Sequence, residues 1–167
     1  MIKAFFPDKS VQLELLMSGT RDGFGAPKFH ELCDGKGPTL IVAKSEFNRV
    51  FGGFTSVPWA PENKWIPDPQ AFVFSVSRRT KHDQYQNRER ALYHFLPADQ
   101  ALLGFGGGSD FTIASNANAG KKSTSSFGNT YKLPFGVKLD SIDAKCYLAG
   151  AEKFRIIDLE VFKVTFK

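Results

Sequence analysis

Short runs of alternating or continuous apolar residues, bounded by Gly, Pro, Asn and Asp, recur along the chain and predict a succession of strands. Residues 11–17 (VQLELLM) alternate before turning apolar and read as a strand or a short helical lead-in. Further strands are predicted at 39–44 (TLIVAK), 49–57 (RVFGGFTSV) and 71–77 (AFVFSVS). ALYHF (91–95), ALLGFG (101–106) and DFTIA (110–114) are shorter candidates. FRIIDLEVFKVTF (154–166) is β-branched and aromatic, apolar on both faces at its end, and reads as a long, largely buried strand. Phe74, Val76, Ile157, Leu159 and Val161 are the predicted core. One stretch has helical period: Pro27 suits the first helical position, Phe29, Leu32 and Cys33 share a face, and Gly35 suits the stop. A helix over 27–34 follows, with His30 on its solvent side.

The segments between these runs carry their own signals. Asp22-Gly23 is a turn signal, in which Gly23 supplies positive φ and the Arg21–Asp22 pair fixes the loop geometry beside Phe24. Residues 115–132 (SNANAGKKSTSSFGNTYK) are rich in Asn, Ser and Gly and read as a long mobile loop. Residues 50–65 (VFGGFTSVPWAPENKW) pair two glycines inside a strand pattern with Trp59 and Trp65 around a proline turn. The pattern fits either a ligand-binding aromatic shelf or a packing device of one particular fold. Many short strands and little helix predict a mainly β (α+β) fold, a two-sheet antiparallel β-sandwich flanked by one or two short helices. At 167 residues, with no interdomain linker, a single domain over 1–167 and a monomer are expected.

Composition narrows the function. The 17 Phe suit a core of aromatic rings, and the formal charge of +5 is dispersed except in RRTKHDQYQNRER (78–90). That segment carries five Lys/Arg against Asp83 and Glu89 and reads as a solvated loop, without the dense basic stripe of a nucleic-acid binder. Cys33 and Cys146 make no disulfide framework, no secretory signal is visible, and no apolar run is long enough for a transmembrane segment. A reducing, cytoplasmic compartment is expected.

Motifs that would carry chemistry are mostly incomplete in this chain. GFGGGS (104–109) has Ser109 where a dinucleotide-binding loop needs its last Gly, and NAGKKST has Lys122 where a P-loop needs Ser or Thr. His30 and Cys33 have metal-ligand spacing but no second pair, so no metal or cofactor is expected. Cys33 is the candidate for redox chemistry, yet its place near a helix C-terminus disfavours a thiolate.

Read together, SGTRDGFGAPKFHELCDGKGPTLIVAK, VFGGFTSVPW, DPQAFVFSV, ALYHF, GFGGGSDFTIA, SSFGNTY and LAGAEKFRIIDLEVFKV resemble the TLDc domain in order and spacing, from about Leu15 onward. The resemblance implies the same two-sheet sandwich, in which Gly52 and Gly53 let the strand kink or a ring pack against bare backbone and Trp59 plugs an edge. It also implies two functional themes: protection against oxidative stress, and binding to the peripheral stalk region of the vacuolar proton-pumping ATPase to regulate its assembly. Where relatives often carry His in the GGG-x-D loop, Ser109 stands here, which weakens an acid–base role. The expectation is a nearly bare module, without LysM, BTB or TBC domains, acting as a non-enzymatic protein-interaction module recruited to endolysosomal membranes through its partner. Its partner-binding candidates are Ser109, Asp110, Lys121 and Lys122 in loops clustered at one end of the sandwich. Two rivals remain: a redox protein reacting with peroxide through Cys33 or Cys146, and a carbohydrate-binding sandwich stacking sugars on Trp59 and Trp65.

Overall fold

The computed structural model describes residues 1–167. Its strands are β1 (Val11–Ser18), β2 (Thr39–Ser45), β3 (Val50–Thr55), β4 (Lys64–Ile66), β5 (Phe72–Ser75) and β6 (Thr80–Asp83). They continue with β7 (Leu92–His94), β8 (Ala101–Phe105), β9 (Phe111–Ala114), β10 (Ser123–Thr124), β11 (Lys153–Phe154) and β12 (Ile156–Phe166). Three short helices accompany them, α1 (Gly19–Asp22), α2 (Ala26–Cys33) and α3 (Ile142–Cys146). Two antiparallel six-stranded sheets, ordered β1-β12-β2-β3-β5-β6 and β11-β10-β9-β8-β7-β4, form the β-sandwich. No helix is long and apolar enough to cross a membrane.

The first sheet is buried on both faces, which is why β2 and β12 read as apolar runs rather than clean alternations. Its inner side sends Ile41, Ala43, Phe51, Val73, Leu159 and Val161 against Leu103, Phe105 and Phe111 of the second sheet. Its outer side carries a separate cluster, Leu40, Phe54, Phe72, Phe74 and Val164. The N-terminal segment covers that cluster. Phe5 packs on Phe72 and Phe74 with ring centroids 5.4 and 5.0 Å apart, and Phe6 sits 5.0 Å from Phe54 and 5.2 Å from Phe166.

Two adjacent glycines in β3 serve the two faces. A side chain at Gly52 would collide with the Ile41 carbonyl and meet the Phe74 ring at 2.9 Å, and one at Gly53 would meet the Phe105 ring at 2.6 Å. Bare backbone lets a ring press on each side of the strand. Trp59 closes the edge of the inner core, fully buried, with its indole Nε1–H donating to Thr39 Oγ1 at 2.9 Å.

Several sequence expectations need correction. Ile157 is 39% exposed, because the β12–β2 pairing bulges between Ile156 and Asp158 and turns that residue outward. Val76 lies beyond the end of β5 and is half-buried against the outer cluster, where Phe74 also belongs. His30 is buried rather than facing solvent. Residues 115–132 are no mobile loop: β10 lies within them, and Ala117, Phe127, Thr130 and Tyr131 are fully buried. Within 78–90, β6 forms an edge strand and Arg78 stacks on the Tyr147 ring at 4.5 Å, so only part of that segment is solvated loop.

Candidate functional site

The turn after β1 is wound by α1 and closed by Gly23 at φ 89°. Asp22 Oδ2 accepts the Ser18 main-chain N–H at 2.9 Å, so the carboxylate reaches back across the single turn of helix to the residue that precedes it. The Arg21 guanidinium grips that carboxylate through Nε and Nη2, at 2.9 and 2.7 Å, and reaches the Leu16 carbonyl at 3.3 Å. The Arg21 hydrogen bonds, reinforced by the Ser18 N–H, hold the Asp22 carboxyl down at about 2. Phe24 then turns inward and is buried.

The glycine-rich turn joining β8 to β9 is held by its own aspartate. Ser109 takes a left-handed conformation at φ 61°. Asp110 behind it is fully buried and accepts main-chain N–H groups of Gly128, Thr130 and Tyr131 at 3.2, 3.1 and 2.9 Å. Ser125 Oγ donates to the Asp110 carbonyl at 3.0 Å, and the Ser126 N–H donates to the Ser109 carbonyl at 2.9 Å. Burial pushes the Asp110 carboxyl up to about 6, against the pull of those N–H donors. Asp110 is therefore a clamp for residues 125–131 and presents no carboxylate to a partner.

The two lysines lie at the opposite end of β9. Lys121 Nζ sits 3.7 Å from Glu46 and above the Phe47 ring, and Lys122 makes no ion pair. Lys122 lines an open depression of about 460 Å³ with Pro27, Asp99, Ser115 and Asn116. The loop carrying them is tied to the Arg21–Phe24 turn: the Asn116 N–H donates to the Phe24 carbonyl at 2.7 Å, and the Ala26 N–H to Ser115 Oγ at 2.9 Å. The structure thus ties the Arg21–Phe24 turn to Ser115 and Asn116, at the start of the loop that carries Lys121 and Lys122. It does not bring Ser109 and Asp110 to them, so the expected single cluster is divided between the two ends of β9.

Cys33 lies on the inner face of α2, fully buried, and desolvation together with Asp34 pushes its thiol up to about 12. Next to it, His30 Nδ1 contacts the Asp34 carboxylate at 2.7 Å. Trp59 packs between Phe29, 5.7 Å away by ring centroid, and His94, 5.1 Å away. His94 is buried without a hydrogen-bond partner, with Nδ1 3.3 Å from Glu62, and burial lowers its pKa.

The family model of the TLDc domain matches residues 1–165, nearly the whole chain. The chain belongs to the TLDc family. Within this TLDc domain, 67 residues are 30% identical to the MTOR-associated protein MEAK7 of Danio rerio. That match covers 40% of this chain and 15% of the relative, so the domain spans a small part of that protein.

One feature of the TLDc domain escaped sequence reasoning. Trp65 is 36% exposed at the sheet edge while Trp59 is buried, so the two tryptophans form no common platform. Trp65 instead faces Tyr93 across the β4–β7 pair, with rings 4.8 Å apart and nearly perpendicular. With Phe95 they wall a groove of about 410 Å³ on the outer face of the second sheet, floored by Gly104 and closed at one end by residues 106–109. The signal was present in ALYHF, whose Tyr and Phe share one face of a strand.

Proposed function

We propose that this TLDc domain is a non-enzymatic docking module that acts through protein contacts, with the peripheral stalk of the vacuolar ATPase as its partner. The observation that carries the reading is the composite surface at one end of β9. A main-chain hydrogen bond from Asn116 to Phe24 and one from the Ala26 N–H to Ser115 Oγ tie the base of the loop bearing Lys121 and Lys122 to the segment after β1, so exposed cations stand on an anchored loop rather than on a floppy tip. Preorganised loops bind with less ordering cost, and the unpaired charge of Lys122 suits an acidic surface. The word "associated" in the name of the Danio rerio relative supports association as the mode of action.

The link to oxidative stress is read in the same way, as protection through partner assembly. A buried thiol pushed up to about 12 is a poor nucleophile at neutral pH, which argues against peroxide turnover at Cys33. The cytoplasm, with recruitment to endolysosomal membranes through the partner, is the proposed location.

The test is binding of purified vacuolar ATPase from the same source to the wild type and to Lys121→Glu/Lys122→Glu, at low and moderate salt. Charge-driven docking weakens in the variant and with added salt. Absence of binding by the wild type at low salt removes the partner assignment. Peroxide consumption that disappears in Cys33→Ser would restore the redox reading.

A further inference from the structure

The groove walled by Trp65, Tyr93 and Phe95 lies away from the lysine-bearing surface and has no part in docking there. We propose that it binds an extended, proline-containing segment of a partner protein that carries an acidic residue beside the proline. The inference rests on the reading of the domain as a protein-interaction module and adds a second contact surface to it.

Three observations select this occupant. The first is ring geometry. Trp65 and Tyr93 meet at 81° and Tyr93 and Phe95 at 53°, with centroids 4.8 and 4.6 Å apart. Tilted neighbouring rings leave slots between ridges, the shape that receives the flat pyrrolidine of a polyproline II segment. Gly104 keeps the floor low between Tyr93 and Thr112.

The second is the donor inventory. A polyproline II backbone has unpaired carbonyls and needs donors on the receptor. The Trp59 indole is committed to Thr39, but the exposed Trp65 indole N–H has no acceptor within the domain. Tyr93 donates its hydroxyl proton to Asn63 Oδ1 at 2.9 Å, which fixes the ring and takes it out of the donors open to a ligand. The rim hydroxyls are engaged with one another: Ser109 Oγ lies 2.7 Å from Thr112 Oγ1 and 3.2 Å from Thr124 Oγ1. A sugar, which needs several polar partners around its ring, finds few free ones here.

The third is charge. No acidic side chain lines the groove, and Arg90 stands at its Trp65 side with the guanidinium 5.7 Å from the indole ring. The Arg90 pairing with Glu89 is loose, 3.9 Å between exposed groups, so it competes weakly with an incoming carboxylate. The short 3-10 helix Arg88–Arg90 that carries it packs beside β4.

The experiment titrates the ¹⁵N-labelled domain with a panel of synthetic decapeptides carrying Pro and Asp in varied order. Matched peptides carry Ala for Pro or Lys for Asp, and cellohexaose is a separate arm. Expected are shifts at the Trp65 indole and the amides of Gly104 and residues 106–109, with affinity lost when Pro becomes Ala. Trp65→Ala weakens binding roughly tenfold, and Arg90→Glu several-fold for the acidic peptides alone. The Lys121→Glu/Lys122→Glu variant binds the peptides as the wild type does, which separates this proposal from the ATPase assignment. The proposal is overturned if no panel peptide shifts these resonances at millimolar concentration, if the Ala-for-Pro peptides bind equally, or if cellohexaose alone shifts them.

Discussion

Asp22 and Asp110 hold two turns by the same device, a carboxylate accepting main-chain N–H groups, yet their carboxyls are displaced in opposite directions. Asp22 stands at the surface with Arg21 wrapped round it and is held at about 2. Asp110 is sealed in the interior with no cation beside it and is pushed up to about 6. Main-chain dipoles suffice to position an aspartate, but a nearby opposite charge or water decides how readily it ionises. The first turn is adjustable at the surface. The second is a structural lock.

Removing the lock produces the largest effect. At pH 7, where the carboxyl is ionised, Asp110→Asn replaces an acceptor-only group by one that directs an NH₂ at main-chain donors, and is expected to cost about 3 kcal/mol in urea denaturation at that pH. A loss near zero would show that residues 125–131 hold their path without the carboxylate.

Acid then distinguishes the two aspartates. Because the Asp110 pKa is raised on folding, its favourable contribution is complete below pH 4 and is lost as pH rises toward about 6. The displacement of about 2 units corresponds to ~3 kcal/mol across that window. The measurement is the stability difference between wild type and Asp110→Asn, which cancels the opposing loss from His82 and His94 as their buried rings protonate at low pH. Asp22 acts with the other sign: its depressed pKa contributes stability above pH 4 that disappears as pH falls toward about 2. A difference that is flat between pH 4 and 6 contradicts the raised value for Asp110.

Asp22→Ala is expected to lower the melting temperature measurably but less than Asp110→Asn. If the melting temperature is unchanged and partner binding is abolished, the Arg21–Asp22 pair is a contact surface rather than a fastening. The smallest effect is at Cys33, whose thiol is raised by burial first and then by the charges of Asp34 and Asp22. Slow alkylation in the folded protein is expected, changing little in Asp22→Ala. Rapid labelling at neutral pH would contradict burial as the dominant cause.

The elements best foreseen from sequence were those whose signal is local. Alternating or continuous apolar runs bounded by turn residues located β1, β2, β3, β5, β7, β8, β9 and β12. The helix predicted over 27–34 is α2, displaced by one residue. Where the signal is non-local, sequence reading failed. Asp110 is satisfied by residues 18 to 21 positions further on, and no spacing rule reveals that partnership. The polar composition of 115–132 suggested mobility because its serines and asparagines look solvent-seeking, whereas Ser123 and Ser125 spend their hydroxyls on buried main-chain groups. A three-residue edge strand such as β4 is too short to show a period, so ALYHF signalled Tyr93 and Phe95 but nothing placed Trp65 opposite Tyr93.

The aromatic patch on the outer face of the first sheet bears on where the domain can be cut. Phe5 and Phe6 are the lid over Phe54, Phe72, Phe74 and Phe166, although they precede the first strand and contribute nothing to either sheet's pairing. An expression boundary drawn at the start of β1 would keep every strand and still bare a greasy face on one side of the sandwich. Such a truncated protein is expected to fold and then to self-associate, so poor solubility after N-terminal trimming would report a lost cover rather than a broken fold.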